Sequence, residues 1–113
     1  MPLRTSGENA NFKMAEWSGP QGRNNVELVA GVSGLKIAID DILFSNGGTA
    51  TRVRFNFRTT AGVNKKIHEF ILGANINFHV PFAGAPISAA GDSLVMDVEE
   101  EEIHILVIYE TTT

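Results

Sequence analysis

Apolar and polar residues alternate strictly along Arg52-Val53-Arg54-Phe55-Asn56-Phe57-Arg58. Beyond a turn they alternate again along Ile76-Asn77-Phe78-His79-Val80. Successive side chains of an extended strand point to opposite faces, so each segment is built to bury one face and wet the other. A chain made of such segments must cover one apolar face with another. Antiparallel β-structure around a single shared core is therefore the expected fold.

At 113 residues the chain suits one domain that buries roughly two-thirds of its extended surface. Hydrophobic residues make up 43%, and seven Phe with one Trp supply bulk for a core. The formal net charge of −4 opposes nucleic-acid binding through bulk positive charge, so no nucleic-acid partner is expected. Without cysteine, neither disulfides nor thiolate zinc sites can form. Met1-Pro2-Leu3-Arg4-Thr5 opens a polar stretch with no apolar h-region, so no secretory signal is expected. No apolar run approaches the ~20 residues of a membrane-spanning helix, and no membrane partner is expected.

Residues 1–23 stand apart: they are rich in Gly, Asn, Ser and Pro, yet carry Phe12, Met14 and Trp17. Such a segment either folds back as a strand of its own domain or docks on a neighbour as an arm. Exposing an indole forfeits a large burial gain, which favours the docking arm. Ser18-Gly19-Pro20-Gln21-Gly22 reads as the hinge, and residues 24–113 as the folded domain.

Within that domain, Val26, Leu28 and Ala30 alternate before Gly31. Leu35, Ile37 and Ile39 share one phase while Ile42 and Phe44 take the other, so a bulge at Asp40-Asp41 would restore a common inward side. Asn46-Gly47-Gly48 tolerates positive φ and reads as a hairpin turn. Val53, Phe55 and Phe57 line the next strand, which turns at Thr60-Ala61-Gly62. Residues 67–72, then Ile76, Phe78 and Val80, then Leu94, Met96 and Val98 follow. Ile103 to Tyr109 is apolar at nearly every position, so both of its faces should be covered. Glu99 to Glu102 reads as a tight, solvated hairpin between the last two strands. About eight strands without crossover helices point to an antiparallel β-sandwich or jelly roll with an extended N-terminal arm.

Concentrated chemistry is scarce. His68, His79 and His104 each stand alone in sequence, and a metal or catalytic site needs convergent ligands. His104, in the most apolar strand, reads as an interior histidine; His79 alternates with Asn75 and Asn77 on a wet or interfacial face. No nucleophile elbow, phosphate-cradling glycine loop or H-E-x-x-H run occurs. No catalytic residue, metal ligand or cofactor is therefore expected, and the chain reads as a non-enzyme. The residues that remain are partner-binding candidates. Arg52, Arg54 and Arg58, with Lys65 and Lys66 one strand on, form a basic face suited to charged registration between subunits. Phe12, Met14 and Trp17 are the apolar contacts of the arm.

Several segments in order carry a resemblance: Val32-Ser33-Gly34-Leu35-Lys36-Ile37-Ala38-Ile39, Val53-Arg54-Phe55, Leu72-Gly73, Pro81-Phe82 and Ala89-Ala90-Gly91-Asp92-Ser93-Leu94-Val95-Met96, closing on apolar residues through Tyr109. Residues 26–110 thereby resemble small structural proteins of tailed bacteriophages, jelly-roll or sandwich modules that decorate capsids or form head and tail fibres. The resemblance implies a capsid decoration (cement) protein, a homotrimer that stabilises a phage head by binding over subunits of the major capsid protein. It also implies a place on the capsid surface of the virion after synthesis in the host cytoplasm. A second implied role is a fibre or receptor-binding module recognising a host glycan or protein, for which Phe82 would be the exposed loop aromatic. A small cupin-like enzyme shares the architecture and would need histidines and carboxylates converging inside the barrel.

Overall fold

The computed structural model describes residues 12–19, 23–48, 50–82, 86–99 and 103–113. They form eight strands: β1 (Phe12–Gly19), β2 (Arg23–Val29), β3 (Lys36–Asn46), β4 (Thr51–Arg58), β5 (Asn64–Leu72), β6 (Asn77–Pro81), β7 (Ser93–Val98) and β8 (Ile103–Thr112). No helix occurs among the described residues. Two four-stranded sheets result, one ordered β1-β8-β3-β6 and the other β2-β7-β4-β5, with every pairing antiparallel. This order is that of a jelly roll, two Greek keys folded face to face.

The alternation that opens the sequence is what joins the sheets. Val53, Phe55 and Phe57 lie in register with Val98, Met96 and Leu94 on the neighbouring strand, and all six are buried. Across the sandwich they meet Ile37, Ile39, Ile42, Phe44, Ile103, Ile105 and Val107 in one core. Phe44 of the first sheet reaches Phe70 and Phe55 of the second at ring-centroid distances of 5.0 and 5.8 Å. Aromatic pairs at such spacing add to the burial itself.

The β3 phase change is resolved as the residues foretell. Ile39 pairs with Tyr109 and Asp41 with Ile108, so Asp40 is the extra residue of a bulge. Ile37 and Ile39 before it, and Ile42 and Phe44 after it, all face the core. One inserted residue keeps an eleven-residue strand amphipathic along its length.

Three local expectations are corrected. First, the described part of the expected arm, Phe12–Gly19, is the edge strand β1, paired with β8 from Phe12↔Glu110 to Gly19↔Ile103. Ala15 and Trp17 pack against the core. The boundary placed after residue 23 also falls inside β2. The physical reason is the free edge of β8, whose backbone donors and acceptors β1 satisfies. Residues 20–22 of the expected hinge lie outside the described residues. Second, Asn46-Gly47-Gly48 does not turn a hairpin, because β3 and β4 belong to different sheets. Third, β7 and β8 are likewise in opposite sheets, so the glutamate run links two layers instead of adjacent strands; its residues 100–102 lie outside the described residues. The turn at residues 60–62 is a true hairpin between β4 and β5, with Gly62 at a φ of 84° that residues with a Cβ seldom adopt.

Phe55 is fully buried and touches the rings of both Phe44 and Phe70. Phe55→Ala is expected to cost about 3–5 kcal/mol, read as a lower urea midpoint with an unchanged slope. A loss under ~1 kcal/mol would mean the sheets do not close on this ring.

Candidate association faces

Each sheet has an outer face, and the two differ in chemistry. On β2-β7-β4-β5 the outward residues of β4 are Arg52, Arg54, Asn56 and Arg58, as alternation requires. Arg54 stands between Glu69 on β5 and Asp97 on β7. Its Nε and one Nη donate to Glu69 Oε1 at 3.0 and 2.9 Å, and its other Nη lies 3.5 Å from Asp97 Oδ2. Arg52 bridges Glu69 at 3.7 Å and Glu99 at 3.4 Å. Lys66 Nζ lies 3.9 Å from Glu69 Oε1. Asp97 also accepts from the backbone N–H of Asn25 at 2.8 Å, and Arg58 donates to Asn64 Oδ1 at 2.8 Å. A shallow depression lined by Arg52, Arg54, Asp97, Val98 and Glu99 marks the centre.

The arginines therefore share a face, but not a basic one. Three cations and three carboxylates make up the bridged network, so its formal charge cancels. Exposed pairs of this kind are worth about 0–1 kcal/mol each. They fix register across β5, β4 and β7 more than they offer charge to a partner. Lys65, at the next parity, pairs opposite the inward Phe57.

On β1-β8-β3-β6 the outer face is apolar at its centre. Register places Met14 beside Ile108, and Leu106 beside Leu43. Met14 is 72% exposed and Leu43 37%; Leu106 and Ile108 are half-buried. Two histidine–carboxylate contacts border this strip. His104 Nε2 lies 2.8 Å from Glu16 Oε1, and His79 Nε2 lies 2.9 Å from Asp41 Oδ1. β8 is thus apolar on both sides, with its inner side in the core and its outer side open to solvent in the single chain.

The sequence candidates divide between these faces. Met14 belongs to the apolar face, and Phe12 opens the same strand opposite Glu110. Trp17, at the opposite parity from Met14, turns inward. Arg52, Arg54 and Arg58 lie on the other sheet, so the six do not converge. His79 sits on the exposed outer face of the sheet, in keeping with the wet or interfacial face expected of it. His104 does not lie inside: Ile103, Ile105 and Val107 take the inward positions, which sends it outward to Glu16. Glu16, Asp41, Leu43 and Leu106 were missed as site residues. The legible signal was the double-sided apolar character of residues 103–109; the carboxylate partners are distant in sequence and had none. Phe82 is partly buried against the core. Among the described residues no group of three or more His, Cys, Asp or Glu is placed to hold a metal ion.

No protein-family model matches the sequence, and no curated protein matches it. Among solved structures the chain is similar to the SPBc2 prophage-derived protein YomS, at 11% identity and a TM-score of 0.52, over 89% of this chain and 95% of that one. It is also similar to a chain of the infectious bursal disease virus Gx strain, at 10% identity and a TM-score of 0.49, over 88% of this chain and 32% of that one. A chain from Bacillus endospore appendages, a family of disulfide-linked pili, is 10% identical with a TM-score of 0.44, over 88% of this chain and 84% of that one. The likeness to YomS runs nearly the full length of both chains and is a likeness of fold.

The hydrogen bond from Arg54 is the largest influence on the Glu69 carboxyl; it outweighs the opposing desolvation and, helped by the lesser effects of the Lys66, Arg54 and Arg52 charges, holds the group below its ordinary value of 4.5. A depressed folded-state value contributes stability above the unfolded value and loses it as pH falls through the folded one. Glu69→Gln should therefore be less stable than the parent at neutral pH. The gap should close as pH drops from above 4.5 through the lower folded value. Urea midpoints of both proteins across that range are the check, and a constant gap would remove Glu69 ionisation from the account.

Proposed function

We propose that this chain is a virion structural protein of a tailed phage, a decoration (cement) protein that stabilises the head by binding over the major capsid protein. The observation that carries the reading is the outer face of the first sheet. There Met14, Ile108, Leu106 and Leu43 form one contiguous apolar strip with a polar border of Glu16, His104, Asp41 and His79. An apolar centre with a polar rim is the anatomy of an association surface. A fold shared with a prophage-derived protein supports the phage setting.

The work of such a protein lies in its faces. Individually weak contacts, multiplied over many copies on one shell, give firm attachment by avidity. The salt-bridged network on the opposite face suits a stiff, wetted exterior. The packing of Phe82 against the core takes away the loop aromatic on which glycan recognition would rest. A cupin-like enzyme would need an interior ligand set, and the core between the sheets is filled by Ile, Val, Leu, Met and Phe side chains.

Purified phage particles, separated into heads and tails and analysed by mass spectrometry, should carry this chain in the head fraction. The double variant Leu43→Asp, Leu106→Asp should keep its far-UV circular dichroism and lose about tenfold or more of its occupancy on expanded heads. Recovery of the chain with tails alone, or normal occupancy by the double variant, would sink the reading.

A further inference from the structure

Cross-strand register orders the outer face of the first sheet into rows. Glu16 pairs with Leu106, Leu106 with Leu43, and Leu43 with His79, so these four stand in one row across β1, β8, β3 and β6. The row on one side holds Met14, Ile108, Asp41 and Pro81; the row on the other holds Ser18, His104, Ser45 and Asn77. The central row is polar at both ends and apolar between. A carboxylate ends it on β1, an imidazole on β6, and two leucines lie in the middle.

We propose that this face packs against the same face of a second copy, about a two-fold axis that lies between the two sheets and parallel to their strands. The proposal rests on the reading of this face as the association surface and concerns the free protein, in which a second copy covers the strip that the capsid takes on attachment. Under that operation β1 lies over β6 of the partner, and β8 over β3. Glu16 then faces the partner's His79, and Leu106 faces the partner's Leu43, each contact occurring twice. The other in-plane axis, perpendicular to the strands, lays Glu16 on the partner's Glu16 and His79 on the partner's His79. A carboxylate directly opposed to its own copy is unfavourable, so the order of groups along the row selects the first axis.

Contacts within each chain extend the match. Glu16 Oε1 already holds His104 Nε2 at 2.8 Å, and Asp41 Oδ1 holds His79 Nε2 at 2.9 Å. With Nε2 of His79 donating to Asp41, the facing carboxylate meets Nδ1, an arrangement that belongs to the imidazolium, in which both ring nitrogens carry a proton. Each edge of the pair then carries an alternating line of Asp41, His79, the partner's Glu16 and the partner's His104. The leucines lie between these lines, shielded from water by them. A two-fold contact of this kind is self-complementary and closed, so it yields a pair and not a filament.

Size sets the strength. Four strands at ~4.8 Å spacing and five residues at ~3.4 Å rise give a face of roughly 300–350 Å². That is well below the ~800 Å² per partner of a standard stable interface. The pair is therefore weak and rapidly reversible in solution, so it covers the strip in free protein and yields it on attachment. The three-fold assembly that the phage resemblance implies is the competing outcome of the same measurement.

Sedimentation equilibrium of the full chain is the test. Between ~10 μM and ~1 mM the weight-average mass should rise from 12.2 kDa toward twice that value and level off. Glu16→Lys and His79→Glu should each weaken pairing about tenfold or more, because each removes two symmetry-related contacts. Combining them should restore pairing to within about threefold of the parent. The two positions stand at opposite edges of one sheet, and the combined variant carries both within-chain disturbances. Recovery must therefore come from across the interface. Far-UV circular dichroism confirms that each variant is folded. A mass that stays at the single-chain value to ~1 mM, growth to three copies, or a combined variant no better than the singles overturns the proposal. These measurements use no phage particle, so they fail independently of the head-fraction result.

Discussion

Closure of two amphipathic sheets over one apolar layer is the constraint on which the rest of this protein depends. Each buried Ile, Leu, Val, Met or Phe contributes about 1.5–3 kcal/mol relative to exposure, and the layer draws them from both sheets. The ring of Phe44 between Phe55 and Phe70 spans the two layers directly. The Asp40 bulge matters for the same reason. Without it, half of β3 would turn its isoleucines to solvent, and the centre of the first sheet would be lost.

Once the inner faces are committed, alternation dictates what each outer face holds, and the two outcomes diverge. On β4 the outward residues are arginines, and neighbouring strands bring Glu69, Asp97 and Glu99 to meet them. The result is a neutral network that locks register and stays wet. On β8 the outward residues include Leu106 and Ile108, joined by Leu43 and Met14 from its two neighbours. A sheet face of that composition leaves apolar side chains open to solvent in a single chain, and the proposed role as an associating virion component centres there.

Much of the fold was legible because a strand's period survives any tertiary arrangement. Val53, Phe55 and Phe57, and again Leu94, Met96 and Val98, announce their inward sides without reference to neighbours. The phase slip from Ile39 to Ile42 announces the bulge in the same way. Connections were less legible. Asn46-Gly47-Gly48 carries turn chemistry, but a turn residue reports a local backbone angle and not whether the next strand pairs alongside or crosses to the facing sheet. Phe12–Gly19 was similarly open, because edge pairing to β8 joins residues at opposite ends of the chain. The site was least legible. Arg54 with Glu69, His104 with Glu16, and His79 with Asp41 are all long-range pairs.

By itself the sequence determined an all-β chain of about eight amphipathic strands, a core rich in Phe and Ile, and a final strand apolar on both sides. These are properties of residue type and short-range spacing, and the backbone's geometry transmits them directly. Only the tertiary structure decided the jelly-roll order, the incorporation of residues 12–19, the cancellation of the arginine charge and the outward placement of His104. Those outcomes depend on which strands become neighbours, and neighbours are chosen by the joint burial of all the inner faces at once.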